Sequence, residues 1–336
     1  LESLLGGITT ALDMYYLPDA ALEVAARSGM RIHCGPNLLE SDGPEPLPFA
    51  KRMAWANEWL TESVNREQEF SLPNGFDSLN WLSPHSTYLL GEDHLNQISA
   101  LAKQHGAHIH VHAAETIGEM SLVSKRHNGR TPIQVLADTH LLANAVIAHG
   151  VHLNDTDIAM IAQHGASVTH CPASNYKLAS GTARIVELHK QGVNVALGTD
   201  GPASGNDLDL WLAMRLAGYV QKTAASDPTV LPALDVLRMA TINGAKALHI
   251  DHLVGSLEVG KYADLVVLDA FSPSLTPVFD PHVAIVAAAG RGDVSHVVVH
   301  GQVVVRDRVA LTIEARAVVD RANKLTPAIL ASIARN

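Results

Sequence analysis

The chain has 336 residues, enough for one barrel-sized domain with something added. It is 47% hydrophobic and carries a net charge of −10 with no cluster of Lys or Arg, which excludes nucleic acid and anionic membrane surfaces as expected partners. Cys34 and Cys171 lie too far apart in sequence to form a disulfide framework and fit a reducing, cytoplasmic setting; no apolar run reaches the roughly 18 residues of a spanning helix.

No signal peptide is read at the start, and the first residue is Leu1, inside an expected helix over 1–5. Strands are predicted over 8–15, 30–34, 79–83, 108–114, 145–148, 166–170 and 194–197. Helices are predicted over 19–28, 49–65, 95–105, 132–138 capped by Thr131, 154–164, 185–191, 208–221 and 234–248. Strands alternating with helices mean a parallel sheet with helices outside. Asp13, His85, His112, His149, His170 and Asp200 fall at the C-terminal ends of the strands. In a parallel barrel that end carries the active site. A doubly wound sheet would use one switch point, whereas here nearly every strand contributes. The expectation is an α/β fold, a (β/α)8 TIM-type barrel. Seven strands are counted, so the first is expected to precede Leu1.

Beyond residue 248 the pattern changes to a strand over 263–268, a hairpin over 296–306 turning at His300-Gly301, and an Ala-rich helix over 312–336. The expected domains are a barrel over 1–254, a partial β-sandwich over 255–310 and a helical segment over 311–336.

His108, His110 and His112 alternate with Ile109 and Val111, so a strand places the three imidazoles on one face. Glu115 follows His112 by three. A strand-end histidine with a carboxylate just past it can be a metal ligand and a proton shuttle. The same residues also suit one satisfied core histidine and a surface glutamate, and the two readings stay open on this stretch alone.

Five motifs widen the view: Ser83-Pro84-His85-Ser86, His112-x-x-Glu115, Ala148-His149-Gly150-Val151-His152-Leu153, Cys171-Pro172-Ala173-Ser174-Asn175 and Leu197-Gly198-Thr199-Asp200-Gly201. In this order on successive strand ends, followed by the tail over 255–269, the chain resembles the amidohydrolase superfamily. The resemblance is to the aminohydrolase branch that includes methylthioadenosine/S-adenosylhomocysteine deaminases, guanine deaminase and triazine hydrolases. It implies that His112 binds metal and that Glu115 shuttles a proton from the attacking water to a ring nitrogen. It implies that His149 contacts the hydroxide or the ring, that Asp200 binds metal and takes the water's proton, and that His85 faces the substrate. One divalent metal is implied, zinc or iron, because the fourth strand ends without the lysine of binuclear relatives. His108 and His110 are read as barrel filling, His152 and His170 as structural, Ser174-Asn175 as shaping a loop, and Cys171 as no nucleophile.

Two features depart from that family. Its first strand ends in His-x-His, and no such pair precedes His108. A catalytic zinc takes three protein ligands, so the metal site of this chain is expected to be incomplete. Deaminases of adenosyl compounds hold a carboxylate with arginines near the third strand. Residues 36–50 contain no Lys or Arg, but do contain Glu40, Asp42 and Glu45, which favours a neutral or cationic ring. The resulting expectation is a metal-dependent deaminase of a purine-, pterin- or triazine-like heterocycle. A chlorohydrolase or amide-cleaving relative, and a truncated binding protein without catalysis, are the alternatives. A homo-oligomer is left open.

Overall fold

The computed structural model describes residues 1–40, 47–72 and 76–333. The barrel strands are β1 (Thr10–Asp13), β2 (Arg31–Cys34), β3 (Asn37–Leu38), β4 (Trp81–Pro84), β5 (His108–Ala113), β6 (Val146–His149), β7 (Ser167–His170) and β8 (Asn194–Leu197). All their pairings are parallel: β1 with β2, and β3 through β8 in sequence order.

β2 and β3 are two halves of one strand, interrupted at Gly35-Pro36. The Cys34 N–H reaches the Ser78 carbonyl at 3.0 Å, and the Pro36 carbonyl accepts the Ser83 N–H at 3.1 Å, so both halves lie along β4. Gly35 is required there, because a Cβ would fall 1.9 Å from the Trp81 carbonyl oxygen. Among the described residues seven barrel strands result, each within two residues of its predicted bounds except the second, which runs on to Leu38 rather than ending at Cys34. Among the described residues β1 and β8 are not hydrogen-bonded to each other, so the series is not closed by them.

Helices pack outside. The helix Glu92–His105 buries Leu95, Ile98, Leu101 and Ala102, one stripe at helical spacing. Thr131 and Asn154 each form the capping box that the sequence suggests at the helix starts Pro132 and Asp155. The helix expected over 49–65 breaks at Glu62 into Phe49–Thr61 and Ser63–Glu69. The one expected over 234–248 breaks at Thr241, whose backbone (φ −130°, ψ −99°) interrupts the helical ladder. Helices Ile117–Arg126, Pro172–Lys177 and Pro202–Gly205 are absent from the sequence reading. They start directly after β5, β7 and β8, where hydrophobic periodicity is too short to read.

The second sheet is antiparallel, in the order β12 (Val309–Ala310), β11 (Gln302–Arg306), β10 (Val294–Val299), β9 (Leu265–Leu268). The hairpin turns at His300-Gly301, both with positive φ. Val294, Val297, Val299, Val304 and Val305 join the same apolar core as Leu4 and Leu22 from the barrel side. Arg31, at the start of β2, makes two bonds to the Asp264 carboxylate, 2.5 and 3.2 Å, and lies 4.3 Å over the Phe76 ring. The helix Ala315–Ile333 follows, with no buried residue.

Candidate active site

β5 delivers His112 to the C-terminal rim. Its Nδ1 lies 3.0 Å from the His85 carbonyl, which can only accept, so Nδ1 carries the proton and Nε2 keeps a free lone pair. The His85 ring sits 4.8 Å from that of His112, and the His149 ring is nearly parallel to it at 5.5 Å. Burial, offset by the His85 carbonyl and by Asp200, lowers the proton affinity of His112. Burial and then His112 push His85 down to about 4, so it is neutral at pH 7. The His85 ring meets Tyr88 edge-on at 6.2 Å.

Past β5 the backbone turns through Ala114 in the left-handed region (φ 56°), and this aims Glu115 back toward β6. Glu115 Oε2 lies 3.9 Å from His149 Nε2. Burial, then the charges of Asp200 and Glu119, push the Glu115 carboxyl up to about 7. His149 (φ 77°) and Asp200 (φ 59°) also occupy the left-handed region. Such conformations cluster where a surrounding structure holds reactive side chains in place. Burial, and then His112, keeps the His149 imidazole well below its usual proton affinity.

Two residues read only as loop-shaping turn out to touch this set. Ser174 donates to Asp200 Oδ2 at 2.7 Å, while Oδ1 accepts the Gly201 N–H at 2.6 Å. Asn175 Nδ2 is 3.0 Å from His149 Nδ1. One short helix after β7 therefore supports both a carboxylate of β8 and a histidine of β6. A third supporting residue, Glu119, sits in the unforeseen helix after β5 and is buried. The sequence signal was there in Thr116-x-x-Glu119, a helix-start pattern.

The remaining histidines separate from the site. His108 stacks on His249 at 4.7 Å, at the opposite end of β5. His110 is buried one layer below His112, with ring centres 6.2 Å apart. His152 Nε2 meets the Ser180 carbonyl at 2.7 Å. Both ring nitrogens of His170 are buried without a hydrogen-bond partner among the described residues. Burial pushes the Cys171 thiol up, away from nucleophilic use.

Glu40, one of the acidic residues of the stretch over 36–50, is held by partners within the protein. Burial raises its carboxyl, but the Gly91 N–H, Arg126 and His94 outweigh this and hold it at about 2. Arg126 lies at 2.5 Å and His94 at 2.7 Å. Its charge is paired within the protein by Arg126. Asp42 and Glu45 lie outside the described residues.

His112 Nε2 and the Asp200 carboxylate are donors of the kind zinc takes, and the fixed tautomer of His112 suits a ligand. Among the described residues, no group of three or more His, Cys, Asp or Glu side chains is placed to hold a metal ion.

The amidohydrolase family model matches residues 1–304. The chain belongs to the amidohydrolase family. Over 334 residues this amidohydrolase is 35% identical to a 5-methylthioadenosine/S-adenosylhomocysteine deaminase of Desulforudis audaxviator, covering 99% of this chain and 75% of that protein. It is 34% identical to a 5'-deoxyadenosine deaminase of Methanosarcina mazei over 338 residues, 99% of this chain and 74% of that protein. Among solved structures it resembles an adenosine deaminase from Xanthomonas campestris with bound zinc, at TM-score 0.90 and 29% identity, over 98% of this chain and 73% of that one. The barrel class expected from the strand-helix alternation therefore holds for this amidohydrolase. No helix among the described residues is long and apolar enough to cross a membrane.

Proposed function

We propose that this amidohydrolase replaces the ring amine of an adenosine-type nucleoside by hydroxyl, releasing ammonia. The observation that carries the reading is the Glu115 carboxyl, half-buried beside His149 and held near pH 7, where a group can both take and give a proton. The relatives named as deaminases of adenosine derivatives favour a purine over a pterin or triazine ring.

His112 and Asp200 would supply two of the protein ligands of one divalent cation, with zinc the choice that the histidine-carboxylate donors favour. A cation bound there supplies Lewis acidity toward water. Glu115 takes a proton from water at its carboxylate and delivers it to the ring nitrogen beside the carbon under attack. Negative charge would otherwise build on that nitrogen. Asp200, steadied by Ser174 and Gly201, accepts the second proton and returns it to the departing amine. His149 and His85 are neutral at pH 7, so they can donate hydrogen bonds to the ring without adding charge. The chemistry belongs to the barrel over residues 1–254, with the second sheet and the last helix as attachments. Two free, buried cysteines support a cytoplasmic setting.

A panel of amino-heterocycles and their chlorinated counterparts, incubated with the zinc-supplied chain, tests this. Ammonia from adenosine-type nucleosides is expected. Chloride release with no ammonia would replace the reading with halide hydrolysis.

A further inference from the structure

Glu119 is 5% exposed, and its carboxylate oxygens bond to backbone N–H groups rather than to a side chain expected to react. Its Oε1 accepts the Ala114 N–H at 2.9 Å and its Oε2 accepts the Glu115 N–H at 2.7 Å. The opposite side of the same turn is also held. The Ala114 carbonyl accepts the N–H groups of Val151 and His152, both at 2.8 Å, and the Ala113 carbonyl accepts the Gly150 N–H at 3.1 Å. The turn is therefore gripped between the helix Ile117–Arg126 and the segment that follows His149. Something must grip it, because Ala114 has φ 56°, a region that side-chain-bearing residues rarely adopt. A buried carboxylate with both oxygens committed to two backbone N–H groups is an expensive arrangement unless those bonds are used.

We propose that Glu119 is a positioning residue that clamps the Ala114–Glu115 turn, so that the Glu115 carboxyl points at His149 rather than into solvent. The inference rests on the assignment of Glu115 as proton carrier and names what orients it. Glu119 meets no substrate. It acts on the backbone of the residue that does, and misplacing a reacting group by about 1 Å can cost on the order of a hundredfold in rate.

Glu119→Gln tests it, because the amide replaces one acceptor with a donor that faces an N–H. Thr116→Ala is the control: it removes the cap of the same helix, the Thr116 Oγ1 that accepts the Glu119 N–H at 3.1 Å, and leaves the carboxylate intact. Hydrogen exchange at the 114 and 115 amides is measured alongside steady-state ammonia release. In Glu119→Gln, exchange at those two amides is expected to speed up at least about tenfold, with β5 and β6 unchanged. The kcat should fall roughly 10- to 100-fold, with KM within about threefold. Thr116→Ala should lower the melting temperature and leave kcat in place. Unchanged exchange at 114 and 115 in Glu119→Gln would overturn the clamp. Faster exchange throughout the core, or an equal loss of kcat in Thr116→Ala, would reduce Glu119 to a helix-stabilising residue and overturn it too. A parent chain that releases no ammonia defeats the deaminase reading instead, while the two amides still decide the clamp.

Discussion

Glu115 shows how position converts an ordinary carboxylate into a proton carrier. Burial, and then the charges of Asp200 and Glu119, make ionising it in the folded chain costly. The sign follows for stability. As pH climbs from the ordinary 4.5 toward about 7, the unfolded chain gives up this proton first, so stability falls over that window. The favourable contribution is complete below about pH 4.5 and gone above about pH 7. In the metal-free chain, Glu115→Gln should therefore melt higher than the parent at pH 8, by up to about 3 kcal/mol, and equally at pH 4.5. In the zinc-supplied chain the same change should cost at least about a hundredfold in turnover, since an amide cannot carry the proton. Melting curves at the two pH values and steady-state rates check both halves; a variant with near-normal turnover would leave Glu115 as a loop carboxylate. The five proposed site residues were legible because each stands at a strand end within a recognisable motif. The supporting roles of Ser174, Asn175 and Glu119 were not, although all three stand in short motifs, because a residue that holds another by one or two hydrogen bonds leaves no periodic trace in sequence.

Among the elements, strand ends carried the information and helix breaks did not. Period-two and short apolar runs located all seven barrel strands, since a strand buried on both faces has little freedom in composition. The split of β2 from β3 was invisible, because it depends on how closely Gly35 approaches Trp81 across the sheet. That contact gives an element-level test. Gly35→Ala would place a methyl group 1.9 Å from the Trp81 carbonyl oxygen, on a backbone that cannot yield without moving β4. A loss of about 3 kcal/mol or more is expected in chemical denaturation, because the strain reaches the strand that carries His85. A loss below about 1 kcal/mol would mean that β2 and β3 are not held against β4 as described. The unforeseen helices after β5, β7 and β8 run four to ten residues and begin at Ile117 or at a proline. The first two supply Glu119, Ser174 and Asn175 as supporting side chains, so elements that were hard to read lie next to the chemistry.

At the scale of the whole molecule, the barrel and the antiparallel sheet share one apolar core and one buried ion pair. The Arg31 side chain is 2% exposed and that of Asp264 is 9%, and Arg31 Nη1 also reaches Thr10 Oγ1 at 2.8 Å. Removing one partner leaves an uncompensated charge, which typically costs about 3–5 kcal/mol. Asp264→Ala should lose that much in urea unfolding, and Arg31→Met combined with Asp264→Leu should recover most of it. A single variant as stable as the parent would show that the sheet is held by apolar packing alone.

The reaction proposed for this chain adds water to a ring carbon and expels the amine. The most direct measurement is the mass and isotopic content of the product formed from an adenosine-type nucleoside in water labelled with heavy oxygen, using the zinc-supplied chain. One labelled oxygen on the carbon that carried the amine, with one ammonia released for each product molecule, is the expected result. Recovery of the nucleoside with its amine intact and no label incorporated would contradict the account.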